Sequence, residues 1–220
     1  MLTITTASSK GGVGKTLITT ALAVRAAQDH GKVGLIGLDP QQTLSEWWHR
    51  RVADHPNEKI NPILCEDHEI LRSDLELLRE AGYGYAFIDT PPALMDTIDE
   101  AITVADVVIV PVRASAFDLE AIEPVVEMCR ERNKRFGFVL NGVHKESKTE
   151  PKSWATLVAG AEAALKEDGR LLGTIEERWA YVGALTTGKT GPEMGRGRGV
   201  AARREIDALW RAVNKLASGK

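Results

Sequence analysis

A glycine-rich loop near the start of the chain most strongly constrains what this sequence can fold into. The segment Ser8–Thr16 reads SSKGGVGKT and lies between the apolar run Leu2–Ala7 and the helix-like stretch Lys15–Gln28. A strand, a tight glycine turn and a helix N-terminus in this order bring successive backbone N–H groups and the helix dipole to one point. This order is typical of a phosphate-binding loop, in which Lys15 would reach the β- and γ-phosphates and the Thr16 hydroxyl would bind Mg²⁺.

A second segment, Gly183–Thr190, fits the pattern G-x-x-x-x-G-K-[ST] more literally. No apolar strand leads into it, and we expect Gly191, Pro192 and the glycines that follow to prevent a helix after it. A phosphate loop without a strand and a helix has nothing to orient its N–H groups. We therefore interpret this second match as accidental.

Short apolar runs alternate with longer helical patterns along the chain. Several runs are continuously apolar, which indicates strands buried on both faces of a parallel sheet. The sequence therefore predicts a doubly wound α/β fold, with a mostly parallel sheet of about seven strands flanked by helices, in a single domain 1–220. The predicted strands are Leu2–Ala7, Val33–Leu38, Ile63–Cys65, Tyr85–Asp89, Val107–Val110, Phe136–Leu140 and Leu171–Ile175. The clearest helices are Lys15–Gln28, Glu69–Glu80, Asp118–Arg132 and Trp154–Glu167, and the glycine-rich stretch Thr187–Gly199 is expected to be a mobile loop.

Composition narrows the class of protein. The 220 residues suit one domain with a sizeable core, and no apolar run approaches the roughly 18 residues that a membrane span needs. The chain start does not resemble a signal peptide. The two cysteines, Cys65 and Cys129, are far apart, which favours a reducing compartment over a disulfide scaffold, an iron–sulfur site or a zinc site. We expect a cytoplasmic protein.

The run Lys10–Thr16, KGGVGKT, resembles the deviant Walker A motif of the ParA/MinD family of P-loop ATPases. Its additional lysine, Lys10, matches the signature lysine of that family. The resemblance implies an ATP-dependent homodimer in which Lys10 crosses the interface and touches the phosphates of the partner's nucleotide, as an arginine finger does.

Other segments extend this resemblance over nearly the whole chain. Leu38–Gln41 resembles the switch I motif, which implies that Asp39 positions the attacking water near Mg²⁺. Phe87–Pro92 resembles the Walker B and switch II segment, which implies that Asp89 binds Mg²⁺. Asn141 matches the position at which family members read adenine, although an Asn in a strand-end turn is also a structural choice.

The resemblance thus implies ATP and Mg²⁺ as cofactors and catalytic roles for Lys10, Lys15 and Asp39. Mg²⁺ would be held by Thr16, Asp39 and Asp89. The implied nucleotide contacts are Lys10, Gly11, Gly12, Val13, Gly14, Lys15, Thr16, Leu17 and Asn141. Two positions depart from the family pattern. Gly37 replaces a frequent aspartate of switch I, and Leu17 replaces a frequent threonine, so Mg²⁺ handling and the α-phosphate contact are expected to differ.

Charge is distributed unevenly along the chain. Residues 196–220 carry seven Lys or Arg against two Asp or Glu, whereas residues 1–195 have a net charge of −8. The apolar residues of Ala201–Ala217 recur at helical spacing, which predicts a last helix packed on the sheet rather than a membrane-surface helix. Such a helix would present basic residues to a polyanion. The candidate DNA contacts are Arg196, Arg198, Arg203, Arg204 and Arg211.

These observations favour a small ParA-type partition ATPase without an N-terminal helix-turn-helix domain. The resemblance implies non-specific binding to double-stranded DNA, association with the nucleoid, slow intrinsic hydrolysis, and stimulation by a ParB-like or ribbon-helix-helix adaptor. Two alternatives stay open. One is a MinD-like or other ATPase that positions a protein cargo, although a membrane partner is not expected. The other is an ATP-binding scaffold with very low turnover, for which Gly37 is the relevant feature.

Overall fold

The computed structural model describes residues 1–54, 60–64, 71–144, 151–167 and 170–219. Seven strands alternate with nine α-helices in these ranges, as the continuous apolar runs predict. The strands are β1 Leu2–Thr6, β2 Val33–Gly37, β3 Ile60–Leu64, β4 Tyr85–Asp89, β5 Val107–Val112, β6 Arg135–Val143 and β7 Leu171–Glu176. The helices are α1 Lys15–His30, α2 Thr43–Asp54, α3 Leu71–Glu80, α4 Met95–Val104, α5 Ala116–Glu120, α6 Glu123–Glu131, α7 Pro151–Glu167, α8 Trp179–Leu185 and α9 Gly195–Ala217.

The sheet has the strand order β3-β2-β4-β1-β5-β6-β7, and every pair is parallel. The chain passes from β1 to one half of the sheet and returns to the other half only at β5. The carboxyl end of β1 is therefore the switch point, where a doubly wound sheet leaves a crevice for a ligand. The glycine-rich loop follows β1 directly. The predicted doubly wound α/β architecture is confirmed.

Helices cover both faces of the sheet. On one face, Leu22 of α1, Trp47 of α2, and Leu209 and Trp210 of α9 pack in one buried cluster with inward residues of the central strands. Helices α3, α4, α6 and α7 cover the other face through two further clusters. The packed position predicted for the last helix is confirmed, because its apolar stripe is buried. None of the helices in the described ranges is long and apolar enough to cross a membrane.

Three local predictions need correction. The stretch Asp118–Arg132 forms two helices, α5 and α6, because Pro124 has no N–H to continue the first helix and instead starts the second. The predicted strand Ile63–Cys65 is Ile60–Leu64, and Cys65 lies outside the described residues. The predicted helix Glu69–Glu80 is described from Leu71 onward.

The glycine-rich stretch Thr187–Gly199 was expected to be a loop, yet much of it is ordered structure. A 3-10 turn spans Gly191–Glu193, and α9 begins at Gly195. A Cβ on Gly199 would lie 2.8 Å from the carbonyl oxygen of Pro192, so the glycine permits the helix to pack closely on this turn. The expectation that no helix follows the second G-x-x-x-x-G-K-[ST] match was therefore wrong. The absence of a preceding strand is confirmed, because helix α8 leads into it.

Candidate functional site: a nucleotide cleft at the end of β1

The loop between β1 and α1 has a backbone that only glycine supports. Gly12 and Gly14 have positive φ angles of 73° and 98°, and Gly14 caps the start of α1. A Cβ on Gly14 would lie 2.0 Å from Nδ2 of Asn141, so a side chain there would displace the asparagine. Within the described ranges, the N–H groups of residues 11–14 form no hydrogen bond. They remain available to phosphate oxygens at the N-terminus of a 16-residue helix.

Lys15 lies folded across this loop. Its Nζ donates a hydrogen bond to the carbonyl oxygen of Lys10 at 2.9 Å, and the residue is buried. Burial lowers the pKa of Lys15, whereas the nearby charges of Asp89 and Asp39 oppose that shift. The predicted catalytic lysine is thus held inside the cleft next to two carboxylates.

A second group of side chains lies where β4 ends beside the start of α1. Thr16 Oγ1 donates to Asp89 Oδ2 at 2.5 Å, and Asp89 Oδ1 is buried without a hydrogen-bond partner. Burial raises the pKa of Asp89 to about 7, against the hydrogen bond from Thr16 and the charge of Lys15, which lower it. A buried carboxylate oxygen without a partner beside a hydroxyl fits a divalent cation, and Mg²⁺ takes few protein ligands besides phosphate oxygens and water.

Asp39 follows β2, the strand next to β4, and also lines the cleft. Its Oδ1 accepts a hydrogen bond from the N–H of Gln41 at 2.9 Å, which orients the carboxylate in a tight turn. Gly37 pairs with Asp89 in the register of β2 and β4, so the strand position beside Asp89 carries no carboxylate. The structure therefore brings together Thr16, Asp39 and Asp89, the three residues predicted to bind the metal.

The signature lysine points away from the loop. Lys10 Nζ lies 2.6 Å from Asp118 Oδ1, and the Lys10 side chain is 43% exposed. Ser115 Oγ contacts the other carboxylate oxygen, Asp118 Oδ2, at 2.5 Å. Burial alone would raise the pKa of Asp118, but the hydrogen bonds from Lys10 and Ser115 hold it below its ordinary value. Lys10 is thus held at the rim of the cleft rather than over the loop of its own chain.

Asn141 lies at the far side of the cleft, near the end of β6. Its Nδ2 donates a hydrogen bond of 2.7 Å to the carbonyl oxygen of Val13, and the residue is buried. It therefore supports the loop as well as lining the site. The open cleft measures about 340 Å³ and includes Leu17, as predicted. Sequence reasoning missed four further lining residues: Thr43, Pro92, Arg113 and Leu185. Arg113 directly follows β5. Its position at the carboxyl end of an apolar parallel strand could have indicated that it lines the cleft.

The basic end of the chain lies on a different surface. Arg204, Arg211 and Lys215 are exposed and recur at spacings of seven and four residues, which places them on one face of α9. No described residue forms an ion pair with any of the three. Arg203 is exposed as well and donates to the carbonyl oxygen of Pro192 at 3.2 Å. The side chains of Arg196 and Arg198 lie outside the described residues.

Both acidic residues of α9 are neutralised by contacts within the fold. Glu205 is bound by Arg178 at 2.7 Å and accepts a hydrogen bond from the hydroxyl of Tyr181 at 2.8 Å. Asp207 lies 2.5 Å from Arg25 of α1. The outer face of α9 therefore presents positive charge without a compensating carboxylate of its own helix.

Comparison with known proteins agrees with this geometry. Residues 4–190 match the model of the CobQ/CobB/MinD/ParA nucleotide binding domain. The chain is 30% identical over 223 residues to the maintenance of carboxysome distribution protein A of Halothiobacillus neapolitanus, covering 96% of this chain and 95% of that protein.

Solved structures that share the fold include two with a bound nucleotide. The AMPPNP-bound plasmid partition protein of Borrelia burgdorferi superimposes with a TM-score of 0.78 at 20% identity, over 97% of this chain and 98% of that one. The septum site-determining protein MinD of Pyrococcus horikoshii, complexed with Mg-ADP, gives a TM-score of 0.71 at 19% identity, over 98% and 97%. Nucleotide and Mg²⁺ in these structures fit the donor set of the cleft.

Proposed function

Because this chain belongs to the CobQ/CobB/MinD/ParA family of nucleotide-binding domains, we propose that it is a ParA-type ATPase whose ATP-bound homodimer binds DNA. The observation that carries the proposal is the convergence of Lys15, Thr16, Asp39 and Asp89 on the glycine loop. Binding to double-stranded DNA is independent of sequence. Hydrolysis is stimulated by a ParB-like or ribbon-helix-helix adaptor, after which the dimer releases DNA.

The residues of the cleft have distinct roles in this proposal. Backbone N–H groups of residues 11–16 and the ammonium of Lys15 stabilise charge on the phosphates. Thr16 and Asp89 hold Mg²⁺, which when bound neutralises phosphate charge, and Asp39 orients the attacking water. Asn141 reads the adenine edge. Burial raises the pKa of Asp89 to about 7, and a cation bound there would favour the carboxylate form.

Lys10 contributes to the dimer rather than to its own nucleotide. Its ammonium is exposed at the rim of the cleft, bound to Asp118, and we expect it to exchange this contact for the partner's phosphates when two copies close. The Asp118 side chain is only 13% exposed, and after the exchange its carboxylate keeps the hydrogen bond from Ser115.

The DNA-binding surface is the face of α9 that carries Arg204, Arg211 and Lys215. Phosphate neutralisation by these groups releases counterions, so affinity is expected to fall steeply with salt. Two copies in a dimer double the number of contacts. Arg203, Arg196 and Arg198 extend the same end of the chain and are proposed as further contacts. The protein is then associated with the nucleoid in the cytoplasm.

Retention on double-stranded DNA tests the proposal. Wild-type protein with Mg-ATP is expected to bind DNA of arbitrary sequence and to release it as salt rises, whereas Lys15→Ala is expected to lose ATP-dependent binding. Arg211→Ala should weaken retention, while Arg79→Ala, which removes the same charge from α3 on the opposite sheet face, should not. Salt-sensitive retention that persists unchanged without nucleotide contradicts the proposal.

The identity of the cargo has a second candidate. The relative from Halothiobacillus neapolitanus, similar over nearly the full length, is named for carboxysome distribution, which favours a protein assembly over a DNA molecule as cargo. Both candidates use the same DNA-bound dimer. The adaptor discriminates them, because hydrolysis stimulated by a centromere-binding protein supports partition and hydrolysis stimulated by a protein of the assembly supports positioning. Binding of ATP without stimulation by either points to a scaffold.

A further inference from the structure

Arg113 is a cation in the nucleotide cleft to which no role has been assigned. It directly follows β5, and the register of β5 with β6 pairs Val112 with Leu140. One step further, Arg113 stands beside Asn141. Val107 and Ile109 of β5 and Val139 of β6 belong to the cluster under α1, so alternation along the strands directs Arg113 and Asn141 to that same face.

The guanidinium of Arg113 lies against a glycine. A Cβ on Gly142 would be 3.7 Å from Arg113 Nε and 4.0 Å from both Cζ and Nη2. These nearly equal distances place Gly142 over one face of the planar group rather than at its edge. Gly142 has a φ of 70°, which favours glycine. Because glycine has no Cβ, no side chain of residue 142 covers this face of the guanidinium. The arginine is otherwise exposed and forms no ion pair with any described residue. Its charge helps to lower the pKa of Asp118, after the hydrogen bonds and charge of Lys10 and Ser115.

The two ends of the cleft have different chemistry. Asp39 follows β2, Asp89 ends β4 and Thr16 lies in the first turn of α1, whereas Arg113 and Asn141 lie at β5 and β6. From β4 to β6 is three strand spacings, about 14 Å. With the phosphates and the cation at the first end, the opposite end receives the base. An asparagine amide and a flat guanidinium there offer edge hydrogen bonds and a stacking surface, respectively.

We propose that Arg113 stacks on the purine base of the bound nucleoside triphosphate and, together with Asn141, determines the preference for purines. This inference rests on the proposed function, since it needs a nucleotide in the cleft. A guanidinium stacks on an aromatic face through its plane and its charge, whereas an ammonium retains only the charge. A purine offers a larger π face than a pyrimidine. Arg113 is thus a specificity-determining residue distinct from the phosphate-binding set.

Calorimetric binding of Mg-ATP, Mg-CTP and inorganic tripolyphosphate to the full-length protein tests this role. Arg113→Met is expected to weaken Mg-ATP binding about tenfold and to reduce the preference for ATP over CTP. Arg113→Lys is the decisive variant. It should weaken Mg-ATP binding several-fold while leaving tripolyphosphate binding within about twofold of wild type. Arg79→Lys on exposed α3 serves as the matched control and should change none of these affinities.

Three results would overturn the inference. If both variants bind Mg-ATP as wild type does, Arg113 does not contact the base. If Arg113→Lys or Arg113→Met weakens tripolyphosphate and ATP equally, Arg113 contacts phosphate. If folded wild-type protein binds tripolyphosphate as tightly as it binds Mg-ATP, the base does not contribute to affinity and the inference is wrong. Failure of wild-type protein to bind Mg-ATP at all refutes the proposed function as well, which distinguishes it from the first two outcomes.

Discussion

Two segments of this molecule have nearly the same sequence pattern but differ in the structural elements that surround them. Lys10–Thr16 and Gly183–Thr190 both end in the tripeptide Gly-Lys-Thr. The second matches the common phosphate-loop pattern G-x-x-x-x-G-K-[ST] more literally. The first lies between a central strand and a long helix, with its N–H groups facing an open cleft. The second begins in the last turn of α8 and ends at a 3-10 turn, and it contacts α2.

The difference lies in where the backbone N–H groups go. In the second segment, the N–H groups of Thr187 and Lys189 both donate to the carbonyl oxygen of Ala184, at 3.0 and 3.1 Å. The N–H of Thr190 donates to Glu193 Oε2 at 2.7 Å. The carbonyl oxygen of Lys189 accepts a hydrogen bond from the indole of Trp47. These donors are consumed within the fold, so none of them is left to bind a phosphate.

The second segment has a structural role instead, because it receives a buried arginine from α2. The side chain of Arg51 is fully buried, and its two terminal nitrogens contact the carboxylate of Glu193 at 3.0 and 3.1 Å. Arg51 also donates to the carbonyl oxygen of Gly188. A glycine–lysine–threonine pattern therefore binds phosphate only where its surroundings leave its backbone N–H groups free.

The largest expected loss of stability comes from Arg51→Met. Removing one partner of a buried ion pair leaves Glu193 without its cation, so the free energy of unfolding should fall by about 3–5 kcal/mol. Urea denaturation measures this change. Arg72→Met, which breaks the exposed contact with Glu100, is the matched control and should cost less than about 1 kcal/mol. Equal small losses in both variants would show that the Arg51–Glu193 ion pair does not stabilise the contact between α2 and the second segment.

A smaller loss is expected from Gly188→Ala. Gly188 has a φ of 67°, and a Cβ there would lie 2.3 Å from the backbone nitrogen of Arg51. The left-handed backbone and the overpacking together should cost about 3 kcal/mol. Gly12→Ala has a similar φ but open space around it, so it should cost only about 1 kcal/mol of unfolding free energy. If thermal or urea unfolding gives the same loss for both, the close packing at Gly188 is not a constraint.

The smallest effect concerns pH. Burial alone would raise the pKa of Glu193, but the hydrogen bonds and charge of Arg51 hold it below the ordinary value of 4.5. The unfolded chain therefore takes up the proton first as pH falls, and stability present above pH 4.5 is lost as pH drops through the folded-state pKa. Glu193→Gln should remove this component from a plot of unfolding free energy against pH. An unchanged acid slope in the variant would contradict the assignment.

The sequence predicted the parallel α/β fold and the cleft because both depend on local order. A strand, a glycine turn and a helix follow one another at Leu2–Gln28, and continuous apolar runs such as Val107–Val110 specify buried strands. The position of Asn141 followed from resemblance, and its contact with Val13 is a structural finding.

Contacts between distant residues could not be predicted in this way. Arg51 and Glu193 are 142 positions apart, and Lys10 and Asp118 are 108 apart. Neither contact is indicated by a repeating pattern in the sequence. Helix α9 was predicted over Ala201–Ala217, and its start at Gly195 was missed for the same reason. Intrinsic propensity counts the glycines against a helix, whereas the packing of Gly199 on the turn at Gly191–Glu193 favours it. Tertiary contacts therefore determine these ion pairs and the start of α9, which local sequence patterns do not predict.

Two lysine variants distinguish the two glycine–lysine–threonine segments by their affinity for nucleotide. Lys15→Ala and Lys189→Ala remove the same side chain from the two segments, and the hydrogen bond from Trp47 to the backbone carbonyl of Lys189 is retained in the second variant. Titration with Mg-ATP should show roughly 100-fold weaker binding for Lys15→Ala and wild-type affinity for Lys189→Ala, with both variants folded. Loss of ATP binding in Lys189→Ala, or its retention in Lys15→Ala, would contradict the assignment of the nucleotide site to the loop after β1.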